Sequence, residues 1–359
     1  MSTGGESLYV VIIAGGRGTR FWPRSRRHSP KQCLPVDGEM SLLEATIRRV
    51  KALVPSEQIL VITAADMVES VRENVLDLPV ENVLVEPEGR NTAPCVGWGA
   101  IEVNRRAGKD GAVMAVLPAD HLIAEEEQFV KQLEACAQAA RATGALVTIG
   151  VPPNRPETGF GYLNIGDVVG NFGGADFHRV SRFVEKPDLE RAKQYLESGD
   201  YLWNAGMFVF TTEAVERAFR AFLPSSWDLL EQIGTDPSTL DMLYPRLEKI
   251  SVDYGIMERS EQVLTVPATF DWSDVGSWAA LGEHLPVSEL GHARVEGAVA
   301  IDAKNNVVYA PGKTVAMIGV SDLVLVDTGD AILVCRKSDA QSVKDVVAKL
   351  EERGEDRLL

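Results

Sequence analysis

The sequence predicts an α/β protein with a Rossmann-like, mixed but mainly parallel sheet, helices on both faces of that sheet, and a small β-rich C-terminal domain. Three observations support this prediction. Short apolar runs alternate with helical segments over residues 9–151. From about residue 152 the rhythm changes, and further strands extend the sheet. Residues 294–335 then form short β segments broken by the turn sequences NN, PG and TGD.

The five apolar runs of the first part are continuous rather than alternating. That pattern is typical of parallel strands that helices cover on both faces. Ser41 and Glu44 form a capping box at the start of the first helix, and Asn91 or Thr92 caps the third. The predicted strands are 9–14, 58–63, 82–86, 112–117 and 146–151, and the predicted helices are 41–52, 67–75, 91–106 and 125–142.

The second part combines shorter strands with helices. The predicted strands are 159–161, 179–184, 207–210 and 262–266, and the predicted helices are 188–198, 212–222 and 338–352. A boundary in the region 285–294 divides the chain into a catalytic domain, 1–288, and a small β-rich domain with a terminal helix, 289–359.

Composition excludes several classes of function. The 359 residues carry a formal net charge of −16, which disfavours a nucleic-acid binder and an anionic membrane surface as partner. No apolar run reaches the roughly 18 residues of a membrane span, and no signal peptide is visible. Cys33, Cys95, Cys136 and Cys335 show no CxxC or zinc spacing, so we expect reduced thiols in a cytoplasmic protein.

The first strand is followed by a loop rich in glycine and positive charge. Residues 10–36 contain six Lys or Arg residues and no acid. Backbone N–H groups and cations that converge after a strand can bind phosphates. The loop lacks the Walker A and dinucleotide-binding spacings, and solvated arginines on a turn are the plain alternative. We favour Arg20 and Lys31 as functional, since Pro30 restrains the backbone before Lys31.

Two acids follow strands at positions suited to a metal ion. Asp120 ends the run Leu-Pro-Ala-Asp-His, and Asp274 lies in Asp271-Trp272-Ser273-Asp274-Val275-Gly276. Mg²⁺ takes one or two carboxylates together with phosphate oxygens. Simple helix capping or turn formation is the alternative reading of both acids.

Three further segments carry polar groups at strand ends. In Phe183-Val184-Glu185-Lys186-Pro187 the lysine could hold a phosphate and the glutamate sugar hydroxyls, or the two could form an exposed ion pair. Residues 87–94 (PEGRNTAP) could read a base edge or cap a helix. In residues 203–208 (WNAGMF), Asn204 could bind a sugar and Gly206 could allow close approach, or the segment is a turn.

Taken in order, these motifs resemble the nucleotide-sugar pyrophosphorylases, and more narrowly the mannose-1-phosphate guanylyltransferases. The similarity covers about residues 9–280, and the terminal β region is also similar. The extension WPRSRRHSPKQ and PEGRNTAP separate this branch from thymidylyl- and uridylyltransferases. The resemblance implies a short, left-handed β-helix-like C-terminal domain and no fused isomerase domain.

The resemblance also implies GTP and mannose 1-phosphate as substrates, GDP-mannose and pyrophosphate as products, Mg²⁺ as cofactor, and a homodimer. The implied catalytic residues are Arg20, Lys31, Asp120 and Lys186. The implied nucleotide site comprises Gly15, Gly16, Arg17, Gly18, Thr19, Glu88, Asn91, Thr92, Pro118 and Asp120. The sugar-phosphate site comprises Gly161, Tyr162, Glu185, Lys186, Asn204 and Gly206, and the metal ligands are Asp120 and Asp274, with Asp271 as the alternative to Asp274.

Three other functions compete with this one. A nucleotidyltransferase of different base or sugar specificity differs only in motif detail. A non-catalytic nucleotide-sugar sensor would be expected to lose a metal carboxylate or Lys31, and all are present. A glycosyltransferase would normally show a DxD metal site, and Asp271 and Asp274 do not have that spacing.

Overall fold

The computed structural model describes residues 7–37, 40–108, 111–285 and 298–359, except for the side chains of residues 36 and 37. The predicted domain boundary at 288/289 therefore lies outside the described residues. Within the described ranges, no helix combines the length and the apolar character needed to cross a bilayer. All four cysteines are free thiols.

Thirteen strands precede residue 274 in the described ranges; they include all nine predicted ones, and five of the nine are longer than predicted. In chain order they are β1 (Ser7–Ile13), β2 (Pro35–Asp37), β3 (Met40–Ser41), β4 (Ile59–Ala64), β5 (Val83–Glu86), β6 (Ala112–Pro118), β7 (Leu122–Ile123), β8 (Leu146–Val151), β9 (Gly161–Phe172), β10 (Ala175–Glu185), β11 (Tyr201–Thr211), β12 (Val263–Pro267) and β13 (Trp272–Ser273).

Nine of these strands form one mixed sheet in the order β5-β4-β1-β6-β11-β8-β12-β10-β9. The strands β5, β4, β1 and β6 are mutually parallel, and β8 is parallel to β12. The strands β11 and β10 run antiparallel to their neighbours. This arrangement confirms the predicted mixed, mainly parallel sheet.

The helices also follow the sequence signals. They are α1 (Leu42–Val50), α2 (Val68–Glu73), α3 (Thr92–Ala107), α4 (Glu126–Thr143), α5 (Leu189–Ser198), α6 (Thr212–Phe222), α7 (Pro224–Thr235), α8 (Leu240–Leu243), α9 (Val252–Gly255), α10 (Trp278–Gly282) and α11 (Val343–Glu352). Both bonds of the capping box between Ser41 and Glu44 are present, and Asn91 caps α3. Four helices, α7 to α10, have no counterpart among the predicted elements.

The sheet is buried on both faces. Along β1, Val10 and Ile12 belong to one apolar cluster, whereas Tyr9 and Val11 belong to the cluster on the opposite face. Successive side chains of a strand point to opposite faces, so continuous apolar runs require a helix layer on each side. The helices α3 and α4 supply these layers, since α3 contributes to the second cluster and α4 to the first.

Residues 298–359, called the C-terminal unit here, contain β14 (Ala298–Ile301), β15 (Val307–Tyr309), β16 (Val315–Ile318), β17 (Leu323–Asp327), β18 (Ile332–Arg336) and α11. The strand β14 pairs in parallel with β16, and β15 pairs in parallel with β17. Parallel stacking of strands from successive turns of chain confirms the predicted β-helix-like architecture. The terminal helix begins later than predicted, because residues 337–342 form a 3₁₀ helix before it.

Candidate active site at the carboxyl edge of the sheet

The glycine-rich loop leaves the carboxyl end of β1, beside the carboxyl end of β6. The register pairs Ile13 with Pro118, so Asp120 emerges next to the loop. In open α/β sheets, ligands bind at the carboxyl ends of the strands. The topology therefore brings together two segments that lie about a hundred residues apart in the sequence.

The loop folds back so that Gly18 packs directly against Lys31. Gly18 has φ +61°, and a Cβ at this position would lie 2.2 Å from the Cβ of Lys31. Only glycine meets both the left-handed backbone and the close contact. Pro30 directly precedes the short 3₁₀ helix that carries Lys31. The glycine therefore fixes the distance between the loop and its buried lysine.

Lys31 is 5% exposed and is bonded to both acidic segments. Its Nζ lies 2.8 Å from Asp120 Oδ2 and 3.3 Å from the carbonyl oxygen of Asp120. It also donates to the carbonyl oxygen of Asp274, at 2.7 Å. One lysine thus connects the glycine-rich loop with the segments that follow β6 and β12.

These residues surround a cavity of about 310 Å³. Its lining comprises Gly18, Thr19, Arg20, Phe21, Lys31, Asp120, His121, Asp274 and Gly276. We call it the phosphate pocket. Two cations and two carboxylates face one small volume, which is a composition suited to a metal-bound polyanion.

A small antiparallel pairing brings the two carboxylates together. The strand β13 pairs with β7, so that Trp272 lies opposite Ile123 and Ser273 opposite Leu122. Asp120 lies two residues before β7, and Asp274 directly follows β13. Asp271 lines the neighbouring cleft instead of the phosphate pocket, and its backbone N–H donates to Glu125. The geometry therefore supports Asp274 over Asp271 as the second metal ligand.

The turn after Asp274 is shaped around the carboxylate of that residue. Val275 has φ +43°, a left-handed conformation that β-branched residues rarely adopt. A Cβ on Gly276 would come within 2.6 Å of Asp274 Oδ2. Strained backbone of the kind seen at Val275 is concentrated at functional turns.

The electrostatics of the two acids differ. Burial favours a higher pKa at Asp120, but the charge of Lys31 and its hydrogen bond outweigh burial and hold the pKa below its usual value. Burial raises the pKa of Asp274, and the negative charge of Asp120 adds to this effect. Two acids that oppose each other's ionisation in a polar pocket are suited to a divalent cation.

The donor set fits magnesium. It offers hard oxygen ligands from Asp120 and Asp274, room beside Gly276, and cations that would face the phosphate oxygens completing the shell. Within the described ranges no cluster of three or more His, Cys, Asp or Glu side chains forms a protein-only metal site.

His121 has a defined protonation state. Trp272 Nε1 donates to His121 Nδ1 at 3.0 Å, and the two rings meet edge to face. Because Nδ1 accepts this bond, the imidazole proton resides on Nε2. Burial lowers the pKa of His121 to about 4, so the ring is neutral at pH 7. His121 therefore presents a neutral imidazole to the phosphate pocket and adds no charge to it.

A larger cleft of about 1020 Å³ shares Asp274 with the phosphate pocket. From Asp274 it runs past Trp272 to Trp203, and Arg155 and Lys337 contribute to its lining. Arg155 lies over the Trp203 ring, 5.1 Å from the centroid. The cleft provides room for a second substrate on the side of the sheet extension.

Glu185 and Asn204 lie side by side and are not part of the lining of this cleft. A Cβ at Gly161 would be 2.5 Å from Glu185 Oε2 and 3.2 Å from Asn204 Cβ. The Asn204 amide is oriented by Thr148 Oγ1 and the Gly206 N–H, which both donate to Oδ1. Three of the predicted sugar-site residues, Gly161, Glu185 and Asn204, therefore cluster.

Asp253 completes this cluster, although the sequence analysis did not select it. Asn204 Nδ2 donates to Asp253 Oδ1 at 2.8 Å. Burial and the nearby charge of Glu185 raise the pKa of Asp253 to about 6. Asp253 lies in the one-turn helix α9, which has no periodic pattern to reveal it, so only the fold shows its proximity to Asn204.

The other predicted sugar-site residues have mixed surroundings. Lys186, with φ +48°, bonds Glu185 at 2.8 Å, and the hydrogen bond and charge of Glu185 outweigh burial and raise the pKa of Lys186. Tyr162 is fully buried, and its hydroxyl donates to the Glu157 carbonyl oxygen, so its ring packs in the core. A Cβ on Gly206 would lie 3.8 Å from Pro118. Gly206 of the predicted sugar site is therefore close to Pro118 of the predicted nucleotide site.

On the nucleotide side, capping bonds engage two of the predicted residues. Asn91 has φ +70° and its side chain accepts from the Thr92 N–H at 2.8 Å. The Thr92 hydroxyl accepts from the Val252 N–H at 2.9 Å, which fixes α9 to the start of α3. Glu88 is half exposed and lies 3.7 Å from Arg90.

Glu86, at the end of β5, is a buried acid that the sequence analysis also missed. Cys95 Sγ donates to its Oε1 at 3.2 Å, and the Tyr244 hydroxyl donates to the same oxygen. Burial raises the pKa of Glu86, against the effect of these bonds. Its Oε2 lies 3.7 Å from where a Gly15 Cβ would stand, so it borders the glycine-rich loop. The sequence does show an acid at the end of an apolar strand, and that position is the signal by which Glu86 could have been selected.

The cation-rich loop does not act as one phosphate site, contrary to the simplest reading of its six cations. Arg20 and Lys31 line the phosphate pocket. Arg17 pairs with Asp66 and Glu351, and Arg24, Arg26 and Arg27 face the C-terminal unit. The loop therefore has two charged faces with different partners.

Comparison with known proteins identifies the family of the chain. Residues 9–287 match the family model described as nucleotidyl transferase. The chain belongs to this family. Residues 296–350 of this nucleotidyl transferase match a model described as MannoseP isomerase/GMP-like beta-helix domain. These matches confirm the predicted fold, and the first confirms the wider family predicted from the motifs.

Two sequence relatives and one solved structure are informative. The chain is 40% identical to the mannose-1-phosphate guanylyltransferase ManC of Salmonella typhimurium and 36% identical to the mannose-1-phosphate guanylyltransferase of Escherichia coli K12. Each alignment covers 97% of this chain and 74% of the relative. A structure from Thermus thermophilus, described as a mannose-1-phosphate geranyltransferase, is similar with TM-score 0.88 and 38% identity, covering 96% of this chain and 99% of that one. The guanylyltransferase names of the sequence relatives confirm the predicted branch.

Proposed function

We propose that this nucleotidyl transferase makes GDP-mannose and pyrophosphate from GTP and α-D-mannose 1-phosphate. The observation that carries the proposal is the phosphate pocket, where Arg20 and Lys31 face Asp120 and Asp274 in about 310 Å³. The names of the sequence relatives supply the base and the sugar.

The reaction is an in-line substitution at the α-phosphorus of GTP. A phosphate oxygen of mannose 1-phosphate forms the new P–O bond, and the bond to the leaving pyrophosphate breaks. The nucleophile is already an anion at neutral pH, so no general base is required. The protein must position two anions and stabilise the charge on the leaving group.

Arg20 and Lys31 stabilise the charge that develops on the triphosphate, and the N–H groups of residues 15–19 bind its oxygens. Asp120 and Asp274 would hold Mg²⁺ together with phosphate oxygens. The bound ion would supply positive charge that offsets the charge of the phosphates. Lys31 fixes both metal-binding segments through its bonds to Asp120 and Asp274.

The cluster of Gly161, Glu185 and Asn204 binds the sugar: Glu185 accepts hydrogen bonds from its hydroxyls, Asn204 donates to them, and Lys186 lies near its phosphate. The fixed orientation of Asn204 supports this role. On the nucleotide side, Glu86 adds a carboxylate acceptor beside the predicted Glu88. Guanine presents N–H donors on its pairing edge, which an acid accepts directly.

Transfer of a geranyl group, which the name of the similar structure suggests, is not supported by this site. An isoprenyl chain requires an apolar tunnel, because burial of its methylene groups supplies the binding energy. The phosphate pocket is lined mostly by charged and polar residues, and the adjoining cleft mixes Trp203 and Trp272 with acids, arginine and lysine. Phosphate chemistry fits both.

A substrate panel tests the proposal. The protein is incubated with Mg²⁺, mannose 1-phosphate and each of GTP, ATP, UTP and dTTP, and pyrophosphate release is measured. We expect GTP to give the highest kcat/KM, and glucose 1-phosphate to be a poorer acceptor. Preference for another nucleotide would assign a different base specificity, and no release with any nucleotide would contradict catalysis.

We further propose that the two domains divide at residues 288/289. We also propose that the protein forms a homodimer through the C-terminal unit. Five apolar side chains on β14, β16 and β18 support the dimer, since each is more than half exposed: Val299, Ile301, Ile318, Ile332 and Val334. Apolar groups on strands invite pairing with another chain. Light scattering after size exclusion measures the mass, and a monomer at assay concentration would contradict it.

A further inference from the structure

The segment 21–27 of the glycine-rich loop contacts the C-terminal unit through a dense set of bonds. Arg26 Nη1 donates to the Leu358 carbonyl oxygen at 2.7 Å, and its Nη2 lies 3.1 Å from both carboxylate oxygens of Asp330. Trp22 Nε1 donates to the same Leu358 oxygen at 2.8 Å. The Arg26 side chain is only 16% exposed, so solvent weakens these bonds less than it would at an open surface.

Further contacts surround this pair. Arg27 lies 3.0 Å from Asp356 and 3.6 Å from Glu351, and Arg17 lies 3.8 Å from Glu351. Phe21 and Trp22 belong to one apolar cluster with Val307, Val324, Val326 and Leu333 of the C-terminal unit. Charge pairing and apolar burial therefore act on the same short segment.

The same segment also holds the phosphate pocket. The Ser25 hydroxyl donates to the Gly18 carbonyl oxygen at 2.8 Å, and the Phe21 N–H donates to that oxygen at the same distance. Gly18 contacts Lys31, and the Lys31 ammonium lies 5.5 Å from the Phe21 ring centroid. A short path thus leads from Arg26 through Ser25 and Gly18 to Lys31.

We propose that the C-terminal unit is a positioning element for the glycine-rich loop, and that Arg26 is the positioning residue that connects them through Leu358 and Asp330. The loop has no regular structure longer than one 3₁₀ turn of its own before Lys31. Its geometry therefore depends on contacts from outside. Misplacement of reacting groups by about 1 Å is enough to cost turnover ~100-fold.

The test compares Arg26→Ala, Asp330→Ala and Arg26→Lys in the full chain. The matched control is Arg220→Ala, which removes ion pairs to Glu216 and Glu231 between α6 and α7. We expect Arg26→Ala to lower kcat about 10- to 100-fold and to raise the KM for GTP. The KM for mannose 1-phosphate should stay within about twofold, because the groups assigned to the sugar are held by other strands. Asp330→Ala gives the same pattern with a smaller change, and Arg26→Lys recovers part of kcat.

Hydrogen exchange gives a readout that does not depend on the substrate. In Arg26→Ala we expect amides of residues 15–31 to exchange about tenfold faster, with α3 unchanged. Asp330 is half exposed, so its variant folds even if Arg26→Ala does not. The proposal would be overturned if Arg26→Ala and Asp330→Ala showed the same amide exchange rates, kcat and KM as Arg220→Ala. The kinetic assay rests on the proposed function. If the wild-type protein were inactive, that result would contradict the proposed function alone. The hydrogen-exchange experiment would then decide whether the C-terminal unit positions the loop.

Discussion

The two sides of the active site are built differently. On the phosphate side, charged groups meet through close backbone approach: Gly18 contacts Lys31, and Lys31 bonds the Asp120 and Asp274 segments. On the sugar side, the amide of Asn204 is oriented by neutral donors and one acid. The first arrangement suits the stabilisation of developing charge, and the second suits recognition of hydroxyl groups.

This difference separates effects on turnover from effects on affinity. Groups that oppose charge in the transition state act on kcat, whereas groups that bind ground state and transition state equally act on KM. Substitutions on the phosphate side should therefore change kcat most strongly.

The largest effect is expected for Lys31→Ala. Loss of its charge and of its bonds to both acidic segments should lower kcat about 100-fold or more, the size typical of one lost electrostatic contact in the transition state. Pyrophosphate release under saturating substrates measures the change. Lys51→Ala, which removes a surface pair with Asp77, is the control. A kcat within threefold of wild type would remove Lys31 from the mechanism.

A second prediction concerns the metal ligands, and it distinguishes Asp274 from Asp271 in the same segment. Asp274→Asn and Asp120→Asn should each raise the Mg²⁺ concentration needed for half-maximal activity, by about tenfold or more, because one ligand charge is lost. Asp271→Asn is the matched control, since Asp271 lies outside the phosphate pocket. Activity titrated with Mg²⁺ gives the midpoints. An unchanged midpoint in Asp274→Asn, with a shift in Asp271→Asn, would exchange their roles.

The smallest effect concerns Asp253 and pH. Its pKa is raised from 3.8 to about 6, so its contribution to stability is present in full below pH 3.8 and is lost as the pH rises through 6. Asp253→Asn keeps an acceptor for Asn204 but carries no charge. The loss of unfolding free energy between pH 4 and 7.5 should shrink by roughly 1–3 kcal/mol in this variant.

Urea unfolding at the two pH values measures this difference. The charges that face Asp253 are Glu185 and Lys186, and both are retained in the variant. Asp241→Asn, an exposed acid on α8, is the control. An identical pH dependence in wild type and Asp253→Asn would show that the pKa of Asp253 is the same in the folded and the unfolded protein.

The sequence by itself determined the sheet, most helices and the segments of the phosphate side. Continuous apolar runs specify strands covered on both faces, and the capping box at Ser41 marks a helix start, because both signals are local in the chain. The loop at Gly18 and the acids Asp120 and Asp274 follow predicted strands. Because the carboxyl ends of parallel strands lie at one edge of a sheet, the sequence predicts that these groups are close together.

Only the tertiary structure decided which of these groups meet. Arg20 and Lys31 face the phosphate pocket while Arg26 and Arg27 face the C-terminal unit, although all four lie within twelve residues. Asp253 reaches Asn204 across 49 positions of sequence. The physical reason is that charge and hydrogen bonding act over a few ångströms of space, and a local sequence pattern carries no information about partners that only the packed sheet brings within that range.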